Sequence, residues 1–219
     1  ILPVPTTKDN KTVFAPLTNR VIELEEIYEK TAEQLILCCN YNFEKRRCID
    51  YNTLDSYALL NAVPTAEGAI KVAIEQTDFT LWQSNILVIG YGRVGKILAD
   101  RLKSFGANVT VSARKPRDFA LLEALGFNYI NTENIKNLFL GYDIIFNTVD
   151  ATVLYGDTLK NLPSALLVDL STKGGFDLDY AKSLGIKALK APALPGKTAP
   201  QTAGKILAKT VSDLIRFYN

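Results

Sequence analysis

The sequence predicts an α/β fold with a doubly wound parallel sheet, and three observations carry that reading. The glycine turn Gly90-Tyr91-Gly92-Arg93-Val94-Gly95 directly follows the apolar run Ile86-Leu87-Val88-Ile89. That run is continuously apolar rather than alternating, as a parallel strand covered on both faces is. Short apolar runs and helix-period segments then alternate as far as Lys190, the pattern of repeated β-α-β units.

Residues 1–63 read as the carboxyl-terminal part of an amino-terminal α/β domain. Arg20 to Ala32 is acidic and helical, with Val21, Leu24, Ile27 and Tyr28 on one face. Gln34 to Cys39 is a strand, Phe43 to Arg47 a polar connector, Cys48 to Tyr51 a short strand, and Asp55 to Asn61 a short helix or turn. The chain opens on Ile1-Leu2-Pro3-Val4-Pro5 and contains no methionine. The expectation is a fragment whose earlier part, and the rest of that domain, is missing. Residues 64–84 are read as the interdomain crossing helix, its helical run ending at about Thr77. It opens at Val63-Pro64-Thr65-Ala66-Glu67-Gly68, with Thr65 as cap and Glu67 at the positive helix end.

Residues 85–219 form the dinucleotide-binding domain. The strand Asn85–Ile89 leads through the glycine turn into a helix bearing Val94, Ile97, Leu98, Leu102 and Phe105 on one face. Gly106 is its left-handed cap, and Asn108–Val111 is the second strand. Helices are expected at 118–125, 132–138 and 178–184, and a turn or short helix near 151–159. Strands are expected at 128–130, 143–148, 165–170 and 186–190. A closing helix, 200–217, carries Ala203, Ile206, Leu207, Val211, Leu214 and Ile215 as an apolar stripe.

A strand–glycine turn–helix order is what a bound dinucleotide requires, and it makes this a Rossmann-type sheet. Gly90 permits the tight turn, Gly92 lets backbone approach a pyrophosphate, and Gly95 lets the helix pack on the strand. Arg93 and Val94 begin the helix whose N-terminus faces the phosphates. An NAD-preferring site usually sets an acid at the end of the second strand. This chain has Ser112-Ala113-Arg114-Lys115-Pro116-Arg117 there, with no acid. Arg114 and Lys115 suit a 2′-phosphate, and Ser112 can donate to it, so NADP is favoured and NAD remains possible. Asn147 and Thr148 follow another strand and can bond a cofactor ribose or carboxamide.

Other chemistry is narrowed by composition. The 219 residues carry 25 basic and 23 acidic side chains, for a net charge of +2, so nothing points to nucleic acid. No apolar run approaches a membrane span of about 20 residues and no signal peptide is visible, so a cytoplasmic protein is expected. There is no histidine, which removes the usual general base and metal ligand. Cys38, Cys39 and Cys48 lack metal spacing and are expected to be structural. No metal is expected.

Leu194-Pro195-Gly196-Lys197-Thr198-Ala199-Pro200 leads into the last helix, with Thr198 or Ala199 at its cap and Pro200 in its first turn. Lys197 then lies beside a positive helix end, good for an anionic group, with Thr65 and Thr198 as further substrate contacts. Lys173-Gly174-Gly175 offers a second cationic or backbone N–H site. Glu67 is the best-placed acid for proton removal, with Lys197 as its catalytic counterpart.

Three stretches carry a resemblance. Asn61 to Ile70 (Asn-Ala-Val-Pro-Thr-Ala-Glu-Gly-Ala-Ile), Gly90–Gly95, and Leu194 to Gly204 (Leu-Pro-Gly-Lys-Thr-Ala-Pro-Gln-Thr-Ala-Gly) resemble the dipicolinate synthase A-subunit family, as do Gly106-Ala107-Asn108-Val109 and Ala113-Arg114. The resemblance spans essentially the whole chain. It implies oxidation of a dihydro- or hydroxytetrahydro-dipicolinate, the cyclic product of aspartate semialdehyde and pyruvate, to pyridine-2,6-dicarboxylate with NAD(P). It also implies a flavoprotein-like second subunit, together with the mother-cell cytoplasm of a sporulating bacterium, and it allows a homo-oligomer. Two segments depart from the family pattern. Thr172-Lys173-Gly174-Gly175 lacks the family's Pro-Gly-Gly proline and is one residue shorter, and Val149-Asp150 stands where Ile-Pro is common. Two alternatives stand beside this reading: a non-catalytic cofactor-binding or scaffold subunit, and a shikimate- or alanine-dehydrogenase-like enzyme.

Overall fold

The structure is a computed structural model that describes residues 1–137, 141–162 and 164–218. Its contacts divide into two units, one comprising Ile1–Leu60 with the segment from Gly204 onward, the other Asn61–Ala203.

In the first unit, α1 (Leu24–Lys30) is followed by two parallel strands, β1 (Ile36–Cys38) and β2 (Cys48–Asp50). Leu37, Cys39, Tyr51 and Tyr57 pack on one side of this pair, and Leu24, Ile36, Cys38 and Phe43 on the other. The three cysteines are free thiols, and Cys38 and Cys39 are buried as expected. Burial pushes the Cys39 thiol up to about 11, which keeps it in its inert protonated form.

The expected pair of helices at 55–61 and 63–77 is one helix, α2 (Asp55–Gln76), with Pro64 inside it. Pro64 offers no N–H to the carbonyl one turn back. The Thr65 hydroxyl donates to the Asn61 carbonyl at 2.7 Å, which does not replace the bond Pro64 would have made to Leu60. Packing carries the helix through. Ala66, Ala69 and Ala73 are fully buried, and their small size lets the helix lie close against the sheet of the second unit to which they belong. Thr65 is therefore not an N-cap, and Glu67 does not sit at a helix end.

The second unit holds β3 (Asn85–Ile89), α3 (Arg93–Ser104), β4 (Asn108–Ala113), α4 (Pro116–Ala124), β5 (Asn128–Asn131), β6 (Ile144–Asn147), α5 (Asp157–Lys160), β7 (Leu166–Asp169), α6 (Leu178–Ser183), β8 (Ala188–Lys190) and α7 (Leu194–Thr198). The six strands are parallel in the order β5-β4-β3-β6-β7-β8. This is the Rossmann order, and the chain reverses direction of travel between β3 and β6. Both faces of β3 are buried. Ile86 and Val88 meet α2 and α3, while Leu87 and Ile89 meet Leu154, Leu159 and Phe176. The helix expected at 132–138 is a 3₁₀ segment, Thr132–Asn137, and Leu138 lies outside the described residues. Gly106 has φ +79°, the left-handed cap expected, with Trp82 against it.

Two features place α7. Ala193 adopts φ +57°, unusual for a residue with a side chain, and turns the chain sharply into the short helix. Gly68 of α2 then receives it, since a Cβ there would lie 2.6 Å from Thr198 Oγ1 and 3.0 Å from Leu194 Cβ. The two motifs richest in resemblance are thus in direct contact. The last helix, α8 (Pro200–Tyr218), begins at Pro200 as expected. From Gly204 it belongs to the first unit, where Val211, Ile206, Leu207 and Leu214 join Leu37 and Tyr51. The expectation that residues 85–219 form one domain differs at this point, because the stripe of α8 is used by the first unit's core. No helix among the described residues is long and apolar enough to cross a membrane.

Gly68→Ala is expected to lower stability by about 1–3 kcal/mol, as overpacking does. Adding Thr198→Ala, which removes the nearest atom, is expected to recover part of it. Urea midpoints of the two variants measure both effects.

Candidate dinucleotide site

The three glycines of the turn do three different jobs. Gly90 has φ +98°, and a Cβ on it would strike Val149 and Thr148. At Gly95 a Cβ would fall 2.1 Å from the Gly90 carbonyl oxygen, so α3 can rest on the turn only with glycine there. Gly92 differs, because its backbone is ordinary extended chain (φ −82°) and an added Cβ would meet nothing within 4 Å among the described residues. Nothing in the fold requires glycine at 92. A ligand that must touch the backbone does, and that is the fit expected of a pyrophosphate. Arg93 and Val94 open α3, and Gly92 contributes no side chain to cap its first turn. The first-turn amides of a helix have no intrahelical partner and form a ready anion site.

A cavity of about 290 Å³ opens beside this turn, lined by Gly90, Gly92, Arg114, Lys115, Thr132 and Val149 among others. Arg114 and Lys115 thus stand where the sequence placed them, at the end of β4. Asp118 and Tyr91 line the same cavity. The Tyr91 hydroxyl is held above its ordinary pKa, first by burial and then by the carboxylates of Asp118 and Asp100.

Three expected ligand contacts are instead struts of the site. Ser112 is fully buried, and its Oγ accepts from the Gly90 amide at 3.2 Å and from the Thr132 hydroxyl at 3.1 Å. It sits behind the glycine turn, not toward a 2′-phosphate. Asn147 is also fully buried, and its Nδ2 donates to the Val149 carbonyl at 2.8 Å and to Asp169 at 2.9 Å. The Thr148 hydroxyl donates to the Ile89 carbonyl at 2.8 Å, bracing the end of β3. In each case the strand end turns the polar group inward to satisfy buried backbone.

The anion site expected at Lys173-Gly174-Gly175 is occupied by the protein itself. The Thr172 and Lys173 amides donate to Asp150, the Gly174 amide to Ser171 Oγ, and the Gly175 amide to Asp169. Burial works against the charge on Asp150, but the Thr172 hydroxyl and amide, the Lys173 amide and the Lys173 charge outweigh it and hold its carboxyl below the usual value.

Sequence reasoning passed over Asp169. It is fully buried, and it accepts from Asn147, from the Ser171 amide and hydroxyl, and from Gly175. The available signal was an acid ending the run Ala165-Leu166-Leu167-Val168, since a carboxylate in a buried strand requires a set of donors.

Glu67 is not brought to this cavity. Its carboxylate pairs with Arg101 of α3 at 3.2 Å beside an apolar groove formed by Ile70, Ile74 and Phe105. Thr65 lies one turn before Gly68 on α2, the same face that receives Thr198. The Thr198 hydroxyl donates to the Leu194 carbonyl at 2.8 Å inside α7, so it does not cap α8, and Ala199 precedes Pro200 instead. Lys197 is exposed in the last turn of α7.

The glycines separate in experiment. Gly95→Ala is expected to destabilise the fold by about 2 kcal/mol or more, because backbone must move. Gly92→Ala is expected to leave the thermal midpoint within a few degrees, yet weaken dinucleotide binding at least about tenfold. Thermal melts with calorimetric titration distinguish the two.

Residues 65–154 match the family described as D-isomer specific 2-hydroxyacid dehydrogenase, NAD binding domain. The chain is 35% identical to the dipicolinate synthase A-subunit of Bacillus subtilis (strain 168), an alignment covering 98% of this chain and 76% of that protein. Among solved structures, the dipicolinate synthase A-subunit from Bacillus halodurans superposes with a TM-score of 0.91 at 34% identity, covering 97% of this chain and 77% of that one. The corresponding dipicolinate synthase structure from Bacillus subtilis superposes with the same TM-score, 0.91, at 34% identity, covering 98% and 76%. With a dehydrogenase-type Rossmann domain and similarity along its whole length, the chain belongs to the dipicolinate synthase A-subunit family.

Proposed function

We propose that this chain oxidises a dihydro- or hydroxytetrahydro-dipicolinate to pyridine-2,6-dicarboxylate, with NADP preferred over NAD. The observation that carries the cofactor choice is the pair Arg114 and Lys115 lining the cavity at the end of β4, where the strand itself ends on Ala113. Two cations against the single carboxylate of Asp118 favour an extra phosphate there. The substrate comes from the family relationship. When bound, a nicotinamide would take a hydride from the ring while a proton leaves it, and a hydroxytetrahydro substrate would in addition lose its hydroxyl as water before the ring is aromatic. Because aromatisation favours the products, the residues need chiefly to orient the ring and hold its two carboxylates.

Lys197, Thr198 and Thr65 are the proposed carboxylate contacts. Lys197 is an exposed cation close to the first turn of α8, Thr198 lies against Gly68 of α2, and Thr65 is one turn before Gly68. Glu67 takes no part in proton transfer in this reading, because its carboxylate is engaged by Arg101. Activity in a mother-cell cytoplasm beside a flavoprotein-like second subunit is part of the same proposal, and a homo-oligomer is compatible with it.

One observation favours a cofactor-binding subunit without chemistry of its own. The chain has no histidine, and the carboxylates of Asp150 and Asp169 beside the groove are taken up by loop hydrogen bonds. Reduced dinucleotide formed by this chain without its partner subunit would exclude that reading. Formation only with the partner, and unaltered by Lys197→Ala, would support it.

With turnover in hand, Arg114→Ala is expected to cut the NADP-over-NAD ratio of kcat/KM about 10- to 100-fold, the worth of one charged hydrogen bond. An unchanged ratio would remove the 2′-phosphate assignment. Lys197→Ala is expected to raise the KM for the dicarboxylate about tenfold or more while leaving the KM for NADP alone.

A further inference from the structure

The wall of the groove beyond Gly90 is built by residues 149–153, of which Val149, Ala151 and Val153 line the cavity. This stretch belongs to no helix or strand, so its position depends on what it is tied to. It is tied to the loop after β7. The Val153 amide donates to the Gly175 carbonyl at 2.8 Å, and the Asp177 amide donates to the Leu154 carbonyl at 3.2 Å. Asp150 makes the third tie, its Oδ1 accepting from the Thr172 amide at 2.7 Å, the Thr172 hydroxyl at 2.9 Å and the Lys173 amide at 3.3 Å.

The loop itself is fixed to the sheet from two sides. Asp169, buried at the end of β7, holds Ser171 and Gly175, and Lys190 of β8 donates to the Thr172 carbonyl at 2.8 Å. Gly175 lies so close to Asn147 that a Cβ would come within 1.8 Å of its amide nitrogen. The wall is therefore held at two points: Asn147 of β6 bonds Val149 directly, and Asp169, loop 171–175 and Asp150 hold the chain where it continues to Ala151.

A dinucleotide spans the point where strand order reverses, one mononucleotide on each side. Arg114 and Lys115, at the end of β4, mark the adenosine side. The nicotinamide half then falls on the other side of β3, over β6 and β7, against the wall that Asp150 secures. We propose that Asp150 is a positioning residue for the nicotinamide half of the bound dinucleotide, acting through its clamp on Thr172 and Lys173. This rests on the dinucleotide reading of the site and not on the identity of the substrate.

The test is binding to the full chain, measured by calorimetry, with whole and half ligands. NADP is compared with 2′-phospho-ADP-ribose, and NAD with ADP-ribose, which lack the nicotinamide. Asp150→Ala and Thr172→Val are each expected to raise the Kd of the whole dinucleotide about 5- to 10-fold, and that of the half ligand less than about twofold. The double variant is expected to be no worse than about the poorer single variant, because both cut one clamp. Asp150→Asn, which keeps an acceptor oxygen, is expected to recover most of the affinity. Equal weakening of whole and half ligands, or no weakening of either, would overturn the proposal. If the wild-type chain bound none of the four, the dinucleotide reading would fall and the proposal with it.

Discussion

Helix α3 starts where it does because residue 95 has no side chain. The Gly90 carbonyl occupies the space a Cβ would need, and Thr148 closes the same gap from the end of β6. From that contact follow the angle of α3 on β3 and the burial of Leu98, Ala99 and Leu102. Gly92, just before α3, has open space where a Cβ would be. The rest of the groove adapts to this fixed point: Ser112 supports the turn from β4, and Thr148 supports it from β6.

The groove is organised in two layers of polar groups. The inner layer is Ser112, Asn147 and Asp169, which are fully buried, with Thr148 half-buried, and each is bonded to neighbouring protein groups. Its work is to hold strand ends and loops in register, and an unsatisfied member would cost several kcal/mol. The outer layer, Arg114 and Lys115, reaches solvent and carries charge. Polar residues at strand ends thus fall into two classes that share a sequence appearance and differ in the direction they point.

That ambiguity explains what could be read from sequence. The sheet was legible because Ile86 to Ile89 and Leu166 to Val168 are continuous apolar runs, and a parallel strand buried on two faces has few other ways to look. The turn was legible because its glycines answer distinct steric demands. Ser112, Asn147 and Thr148 were placed correctly along the chain, but their protein partners were not foreseen. Their side-chain direction depends on where β5 and β7 lie, which no local pattern records. Pro64 misled for a related reason, since a proline ends a helix unless packing of the kind made by Ala66, Ala69 and Ala73 outweighs the lost bond. Glu67 was assigned a role from a helix end that does not exist there. Asp169 was missed because its full burial and its bond to Asn147, 22 residues away, leave no mark on the local pattern, although Ser171 beside it is also a donor.

The meeting of Gly68 with Thr198 has a bearing on how this sequence can change over time. Positions 68 and 198 are separated by 130 residues in the chain but share one pocket of space. Enlarging residue 68 is easier once residue 198 has become smaller, since the reverse order passes through an overpacked intermediate. Substitution at this joint therefore has a preferred order of steps.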